Sequence, residues 1–453
     1  MHLYEGHTRQ FTEDSIQLRI ADSMKAEFFR HYRYEPAPSE TRSWKESLRH
    51  LAFALKSGEV MDHGIVLEWQ LPQTSRRLDA LIAGTSSSNE PNAVIVELKQ
   101  WESTEESSID DCVVTYVGGG LRDVLHPARQ VGSYQEYLQD MHSAFGEDGV
   151  RLSSCSYLHN YRYDAADELF SAKFDCLLRQ YPVFCADAQS DLQQFLQSRL
   201  EKGRGMPVLD QILQSKYRPS KKLLDHVANV IKGRKEYVLL DEQQVVFNSV
   251  LARVRESITG TKKAVVLAKG GPGTGKSIVA MNLVAHLSAE GLNAVHATGS
   301  RAFTKNIRKA VGPRAGIQFK FFNQFGECSE NDIDVLILDE AHRIRPTSNN
   351  RFTKRSKKSN LRQVDELVRT AKVCVFFIDD LQGVRPGEVG SSELIIDAAR
   401  QERTTIHQYQ LEAQFRCGGS DGFINWVDNT LGLRKTANVL WESKDPFEFR
   451  IFP

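Results

Sequence analysis

The chain has 453 residues, 41% hydrophobic and 26% charged, with 58 basic side chains against 58 acidic ones. That composition excludes fibrous, collagen-like and wholly disordered chains, and at about 150 residues per domain it predicts two or three domains. Zero net charge excludes a generally basic protein, so contact with nucleic acid has to come from local patches.

Apolar runs such as Val94–Val96 and Ala264–Ala268 fall far short of the about 18 residues of a membrane span. The N-terminus MHLYEGHTRQ has no secretory core. The expectation is a soluble, cytoplasmic protein with no membrane partner. Seven cysteines, at 112, 155, 176, 185, 328, 374 and 417, are scattered without a CxxC pair. That spacing argues against a disulfide framework, a zinc ribbon or an iron–sulfur cluster.

In chain order, 1–38 reads as an N-terminal extension and 39–215 as a first α/β domain with a helical extension. A helix is expected from Ser39 to Lys56, with Ser43 and Glu46 spaced as a capping box. The stretch from Gly64 to Trp101 reads as three strands, and the turn GTSSSNEPN makes the second and third an antiparallel hairpin. Glu97 and Lys99, two apart, share one face of the third strand, and pairing can bring Asp79 beside Glu97. Glu68 on the first strand reads equally well as solvent-facing. Converging Asp, Glu and Lys side chains make a site where carboxylates hold Mg²⁺ and the metal acidifies water. Alternating charged and apolar residues also occur on any half-exposed strand, so this pattern alone leaves both readings open. In the next helix, HPARQVGSYQEYLQDM, Gln130 and Tyr134 lie four apart on one face.

Strand hairpin, D…E-x-K and Q-x-x-x-Y together resemble the PD-(D/E)xK nucleases of the RecB type, over about residues 39–145. The resemblance implies a restriction-endonuclease-like fold, in which Asp79 and Glu97 bind Mg²⁺ or Mn²⁺ and Gln130 and Tyr134 position the substrate. It also implies a further acid from the first helix, for which Glu40 is the candidate. His126, His159 and the aromatic segment Tyr157–Tyr163 read more readily as packing than as chemistry, although the aromatics suit base stacking too. Glu102–Asp111 reads as a solvated acidic loop.

Residues 216–235 form a basic linker, and from 236 apolar strands alternate with amphipathic helices, which predicts a parallel sheet. The strands are expected at Ala264–Ala268, Ala294–Ala297, Val335–Leu338 and Val373–Ile378. The first runs into Gly270, Gly271, Pro272, Gly273, Thr274, Gly275, Lys276 and Ser277, then into an apolar helix, the full phosphate-loop pattern in its required context. Lys276 is expected on the β/γ-phosphates of ATP, with Ser277 and the strand-end Asp339 on Mg²⁺ and Glu340 on the attacking water.

DEAH at 339–342, FFIDDLQGV at 376–384 and LEAQFRCGGS at 411–420 resemble the bacterial Schlafen-group helicase-like domain of superfamily 1, over about 236–453. The resemblance implies that Gln243 reads the adenine edge, that Gln382 couples the phosphate site to nucleic acid, and that Arg416 reaches the γ-phosphate. It implies a RecA-like domain at 236–400 and the start of a second motor domain at 401–453, which is expected to be incomplete. The basic insertion Arg343–Arg362, expected as a mobile loop, suits a phosphate backbone and a plain surface loop equally. The whole predicts a nuclease fused to an ATPase acting on nucleic acid, DNA rather than RNA. Such fusions imply DNA processing or defence against phage. An RNA-directed nuclease and a nucleotide-switched binding protein with structural N-terminal acids are the alternatives, and a homo-oligomer or protein partner is left open.

Overall fold

The computed structural model of the chain describes residues 1–71, 74, 76–146, 149–215, 239–260, 263–349, 353, 358–383, 385–412 and 421–433. They fall into two compact units: Met1–Ser107 with Asp111–Ser220 and Gln414–Pro453, and Ser108–Asp110 with Lys221–Ala413. The expected linker at 216–235 lies outside the described residues.

The first unit runs β1 (Tyr4–His7), α1 (Thr8–Ile16), α2 (Ile20–Tyr32), α3 (Pro38–Ser57), β2 (Gly64–Gln70), β3 (Arg77–Thr85), β4 (Pro91–Lys99), β5 (Glu105–Glu106), β6 (Cys112–Val117), β7 (Gly120–Leu125), α4 (Pro127–Met141), β8 (Arg151–Leu158), α5 (Asp175–Gln180), β9 (Val183–Cys185), α6 (Gln189–Leu200) and α7 (Gly205–Gln214). One six-stranded sheet has the order β1-β2-β3-β4-β8-β9, antiparallel as far as β4 and parallel from β4 to β9. β5, β6 and β7 form a separate three-stranded meander, within which the expected acidic loop contributes a short strand. The N-terminal extension is part of this unit: β1 is the sheet's edge strand, and Phe11, Ile20, Met24 and Phe28 are buried in its core.

α3 begins at Pro38, where a missing N–H costs nothing, and Trp44, Leu48, Leu51 and Leu55 line its buried face at helical spacing. Because the helix starts ahead of Ser43, the expected capping box of Ser43 and Glu46 does not form; Ser43 lies inside the helix and its Oγ accepts from Gln100 Nε2 at 3.2 Å. Along β4, alternation sends Val94, Val96 and Leu98 into the core beneath α3. Glu97 and Lys99 therefore take the opposite face. There Glu97 is level with Ser156 of β8, whose hydroxyl donates to the Pro127 carbonyl of α4 at 3.1 Å. α7 closes onto β2 and β3 through Gly205, where a Cβ would stand 1.9 Å from the Gly64 nitrogen, a contact only glycine permits.

The second unit holds α8 (Glu242–Thr259), β10 (Ala264–Gly270), α9 (Lys276–Ala289), β11 (Ala294–Thr298), α10 (Arg301–Gly316), β12 (Phe319–Phe321), β13 (Ile333–Asp339), α11 (Gln363–Thr370), β14 (Ala371–Ile378), α12 (Ser392–Gln401) and β15 (Thr405–Leu411); a last helix, α13, spans Asp421–Thr430 and clusters with the first unit. The six strands form a wholly parallel sheet in the order β12-β11-β13-β14-β10-β15. Val266, Ala268, Val375 and Phe377 face α8 and α9, while Val265, Leu267, Cys374 and Phe376 face α11 and α12. Burial on both faces explains the unbroken apolar runs. All four expected strands are present, and the sheet continues past the expected boundary at 400 to take in β15. No helix among the described residues is long and apolar enough to cross a membrane.

His126 caps α4: its Nδ1 accepts the Ala128 N–H at 3.2 Å, and its Nε2 lies 2.9 Å from the Leu169 carbonyl. Only the neutral Nε2–H tautomer makes both bonds. Burial pushes His126, His142 and His159 down from 6.5 to about 4. Between those values the unfolded chain takes up protons that the folded chain refuses, so stability falls as pH drops through that window. His126→Asn keeps a cap acceptor and removes one titrating group. Melting temperatures measured from about pH 7 to pH 4.5 should fall less steeply for this variant than for the wild type, and equal slopes would exclude His126 as a source of the acid sensitivity.

Candidate active sites

In the second unit the strand–loop–helix geometry follows from its glycines. Gly273 and Gly275 take φ of 86° and 81°, a left-handed conformation that costs other residues strain, and Gly275 caps α9. The first N–H groups of α9 are thereby turned toward the loop, an arrangement suited to anions. Lys276 is buried, and its Nζ donates to the Gly270 and Gly271 carbonyls, each at 2.7 Å. Ser277 Oγ donates to Asp339 Oδ2 at 2.7 Å. His296 of β11, also buried, brings Nε2 to 3.8 Å from the same carboxylate oxygen. Burial alone would push the Asp339 carboxyl up; His296, Ser277 and Lys276 outweigh it and hold it below the usual carboxylate range.

Glu340 turns the chain at φ 58°, out of the strand direction of Asp339. His342 Nε2 at 3.1 Å and Arg343 Nε at 3.3 Å hold its carboxylate, and the bond from His342 contributes most to keeping it ionised. Gln243 fixes the loop from behind: Nε2 donates to the Thr274 carbonyl at 3.1 Å and Oε1 accepts the Leu240 N–H at 3.3 Å. Gln382 is half-buried in the turn after β14. Arg416 lies outside the described residues, as does part of the basic insertion. Of that insertion's described cations, Arg343 pairs with Glu340, and Arg362 pairs with Asp365 and Asp397.

In the first unit the expected residues meet where the sheet opens. The β3–β4 ladder stops at Ala80 and Val96, which leaves Asp79 level with Glu97. Beyond that point Asp79 Oδ2 accepts the Leu98 N–H at 2.7 Å, a side-chain bond in place of the ladder. Lys99 Nζ donates to Glu97 Oε1 at 2.9 Å, and both side chains are largely buried. Gln130 Nε2 donates to Tyr134 Oη at 2.8 Å on α4, which packs across β4 and β8.

Glu40 and Glu68 exchange the weight the sequence assigned them. Arg77 engages the Glu40 carboxylate, whereas Glu68, with φ 49°, is 13% exposed and accepts from Trp44 Nε1 at 2.9 Å and pairs with Arg77 at 3.3 Å. The Arg77 guanidinium also lies 5.5 Å and 5.9 Å from the ring centres of Phe28 and Tyr32. Burial, with the neighbouring charges of Glu40 and Glu97, pushes Glu68 up. Burial and Glu68 push Asp79 up to about 6 against the pull of Lys99, the Leu98 N–H and Arg77. Like charges are thus crowded at this strand end. Among the described residues no three His, Cys, Asp or Glu side chains converge as a ready-made metal cage. Two carboxylates completed by waters or phosphate oxygens are nevertheless a donor set that suits Mg²⁺, and Asp79 with Glu97 fits it.

The contributions of Glu68, Arg77 and His296 were not foreseen. His296 had a signal, a single polar ring within the apolar strand AVHAT; Arg77 had none, because its partners come from distant helices. The packing reading of the aromatic segment holds for Tyr157 and Tyr161, which are buried, while Tyr163 is 56% exposed. His159 is buried as well, stacked on His50 and 3.0 Å from Ser47 Oγ.

Residues 263–453 match the family model of the Schlafen group 3 DNA/RNA helicase domain, and this part of the chain is helicase-like and P-loop NTPase-like. No curated protein matches the chain. Solved structures similar to part of it include the Pif1 helicase from Candida albicans, 17% identical over 43% of this chain and 44% of that one, with a TM-score of 0.25. The Hef helicase domain of Pyrococcus furiosus is 14% identical over 37% of each chain, with a TM-score of 0.22. AMPPCP-bound DnaA from Aquifex aeolicus is 15% identical over 44% of this chain and 56% of that one, with a TM-score of 0.22. The chain therefore spans about half or less of the length of these structures.

Arg77 is the counter-ion for two acids on different elements. Arg77→Met should cost about 3 kcal/mol of stability, because it leaves the buried Glu68 uncompensated, and Glu68→Gln in the same chain should restore part of it. Denaturant midpoints of the single and double variants measure this; a single-variant loss below about 0.5 kcal/mol would deny the pair its structural role.

Proposed function

We propose that the chain joins a metal-dependent nuclease to an ATP-binding and ATP-hydrolysing helicase-like module, both acting on nucleic acid, DNA in preference to RNA, in defence against foreign nucleic acid such as phage. The observation that carries the ATPase half is the Ser277–Asp339 hydrogen bond beside Lys276 at the start of α9. A hydroxyl, a carboxylate and an ammonium at a helix N-terminus are the groups that a magnesium-bound nucleotide requires. In this reading Lys276 exchanges its loop carbonyls for the β/γ-phosphates, and Ser277 and Asp339 hold Mg²⁺. Glu340 leaves His342 and Arg343 to orient the attacking water. Gln243, already bonded to the loop at Thr274, faces the adenine; Gln382 relays to nucleic acid, and Arg416 offsets charge on the γ-phosphate.

For the nuclease half, the support is the meeting of Asp79, Glu97 and Lys99 where β3 and β4 part. Asp79 and Glu97 would hold Mg²⁺ or Mn²⁺, which supplies an acidified water and a clamp on the phosphodiester. Lys99, steadied by Glu97, orients that water or offsets phosphate charge. Gln130 and Tyr134, steadied by each other, position the substrate. Glu68 strengthens cation binding through added negative charge, and Glu40 acts through Arg77.

Two measurements on the full chain decide the halves separately. With Mg²⁺ or Mn²⁺, cleavage of linear, circular or single-stranded DNA or of RNA should fall at least about 100-fold in Asp79→Asn and in Lys99→Ala. A wild type that cuts none of these, with or without ATP, sinks the nuclease half and leaves a nucleotide-switched binding protein. Lys276→Ala should lower ATP turnover about 100-fold, and undiminished turnover would remove the ATPase assignment.

A further inference from the structure

β14 ends at Ile378, and the residue after it, Asp379, is only 6% exposed. The register with β10 runs from Ala264 opposite Val373 to Lys269 opposite Ile378, so the next level sets Gly270 beside Asp379. Val373, Val375 and Phe377 face α8 and α9, and alternation carries Asp379 to that same face, the face of the phosphate loop. Gly270 is one of the two residues whose carbonyls hold Lys276.

The two halves of Asp379 behave differently. Its Oδ1 accepts the Leu381 N–H at 3.1 Å and its backbone carbonyl accepts the Gln382 N–H at 3.1 Å, so the residue builds the turn that carries Gln382. Its Oδ2 is buried without a hydrogen-bond partner among the described residues. A carboxylate oxygen in that state is costly unless a donor arrives with a ligand. The phosphates themselves cannot be that donor, since like charges at short range repel. A hydrated divalent cation can, because its waters present hydrogens to carboxylates.

We infer that Asp379 is a positioning residue that distinguishes nucleotide accompanied by a divalent cation from nucleotide alone, and that it passes this distinction to Gln382 through the turn it closes. The inference rests on the proposed nucleotide site. Without a cation, Asp379 repels the bound phosphates. With one, its free oxygen gains a donor, and the turn from 379 to 382 is held in one arrangement.

The test uses the full chain and a methylanthraniloyl-labelled ADP, titrated by fluorescence in excess Mg²⁺ and again in EDTA. Asp379→Asn keeps an Oδ1 acceptor for the turn and removes the charge. The ratio of affinity with Mg²⁺ to affinity in EDTA should fall about tenfold in the variant, with binding in EDTA becoming tighter. An unchanged ratio overturns the inference and leaves the nucleotide site standing. A wild type that binds the probe in neither condition, or a Lys276→Ala variant that binds it as well as the wild type, overturns the nucleotide site and the inference with it. Melting temperatures of the nucleotide-free proteins check folding, and Asp379→Ser, which also retains an acceptor, replaces the Asn variant if that one unfolds.

Discussion

A carboxylate can be buried at the end of a strand only where donors or positive charge meet it, and both candidate sites are built around that constraint. Asp339 meets it with the Ser277 hydroxyl, His296 and the nearby Lys276 ammonium. Asp79 meets it less completely, with a backbone N–H and Lys99, and remains raised to about 6. The first site is balanced as it stands, and the second retains an excess of negative charge that a divalent cation relieves.

The sheets produce this placement for different reasons. In the second unit a parallel sheet buried on both faces collects the ends of β10, β13 and β14 along one edge, so the phosphate loop, Asp339 and Asp379 arise at one level from residues far apart in sequence. In the first unit the sheet is antiparallel where the acids sit, and the site depends on a ladder that stops pairing. There the Asp79 side chain replaces a backbone acceptor, and the left-handed turn at Glu68 redirects its carboxylate toward Trp44 and Arg77.

The phosphate loop, the strand-end Asp339 and the four parallel strands were legible because each rests on local chemistry: glycines for positive φ, apolar runs for two-sided burial, a hydroxyl after a lysine. The Glu97–Lys99 spacing was legible because a strand has period two. What escaped depended on contacts distant in sequence. Glu40 seemed the better ligand until Arg77, from another element, occupied it, and Glu68 looked solvent-facing because strand period says nothing of a bulge. The Ser43–Glu46 pair imitated a helix start that Pro38 had already provided. Strand β15 fell beyond the expected boundary because its pattern, TIHQYQL, is that of a half-exposed edge strand rather than a buried one.

Lys276 spends the ligand-free state bonded to two carbonyls of its own loop. Any occupant competes with those bonds before it gains anything from the ammonium. A nucleoside offers no replacement for them, whereas adjacent phosphate groups offer several charged acceptors at once. The loop is therefore a threshold as well as a cradle: it filters occupants by the density of negative charge they bring, before the base at the far end of the nucleotide is read.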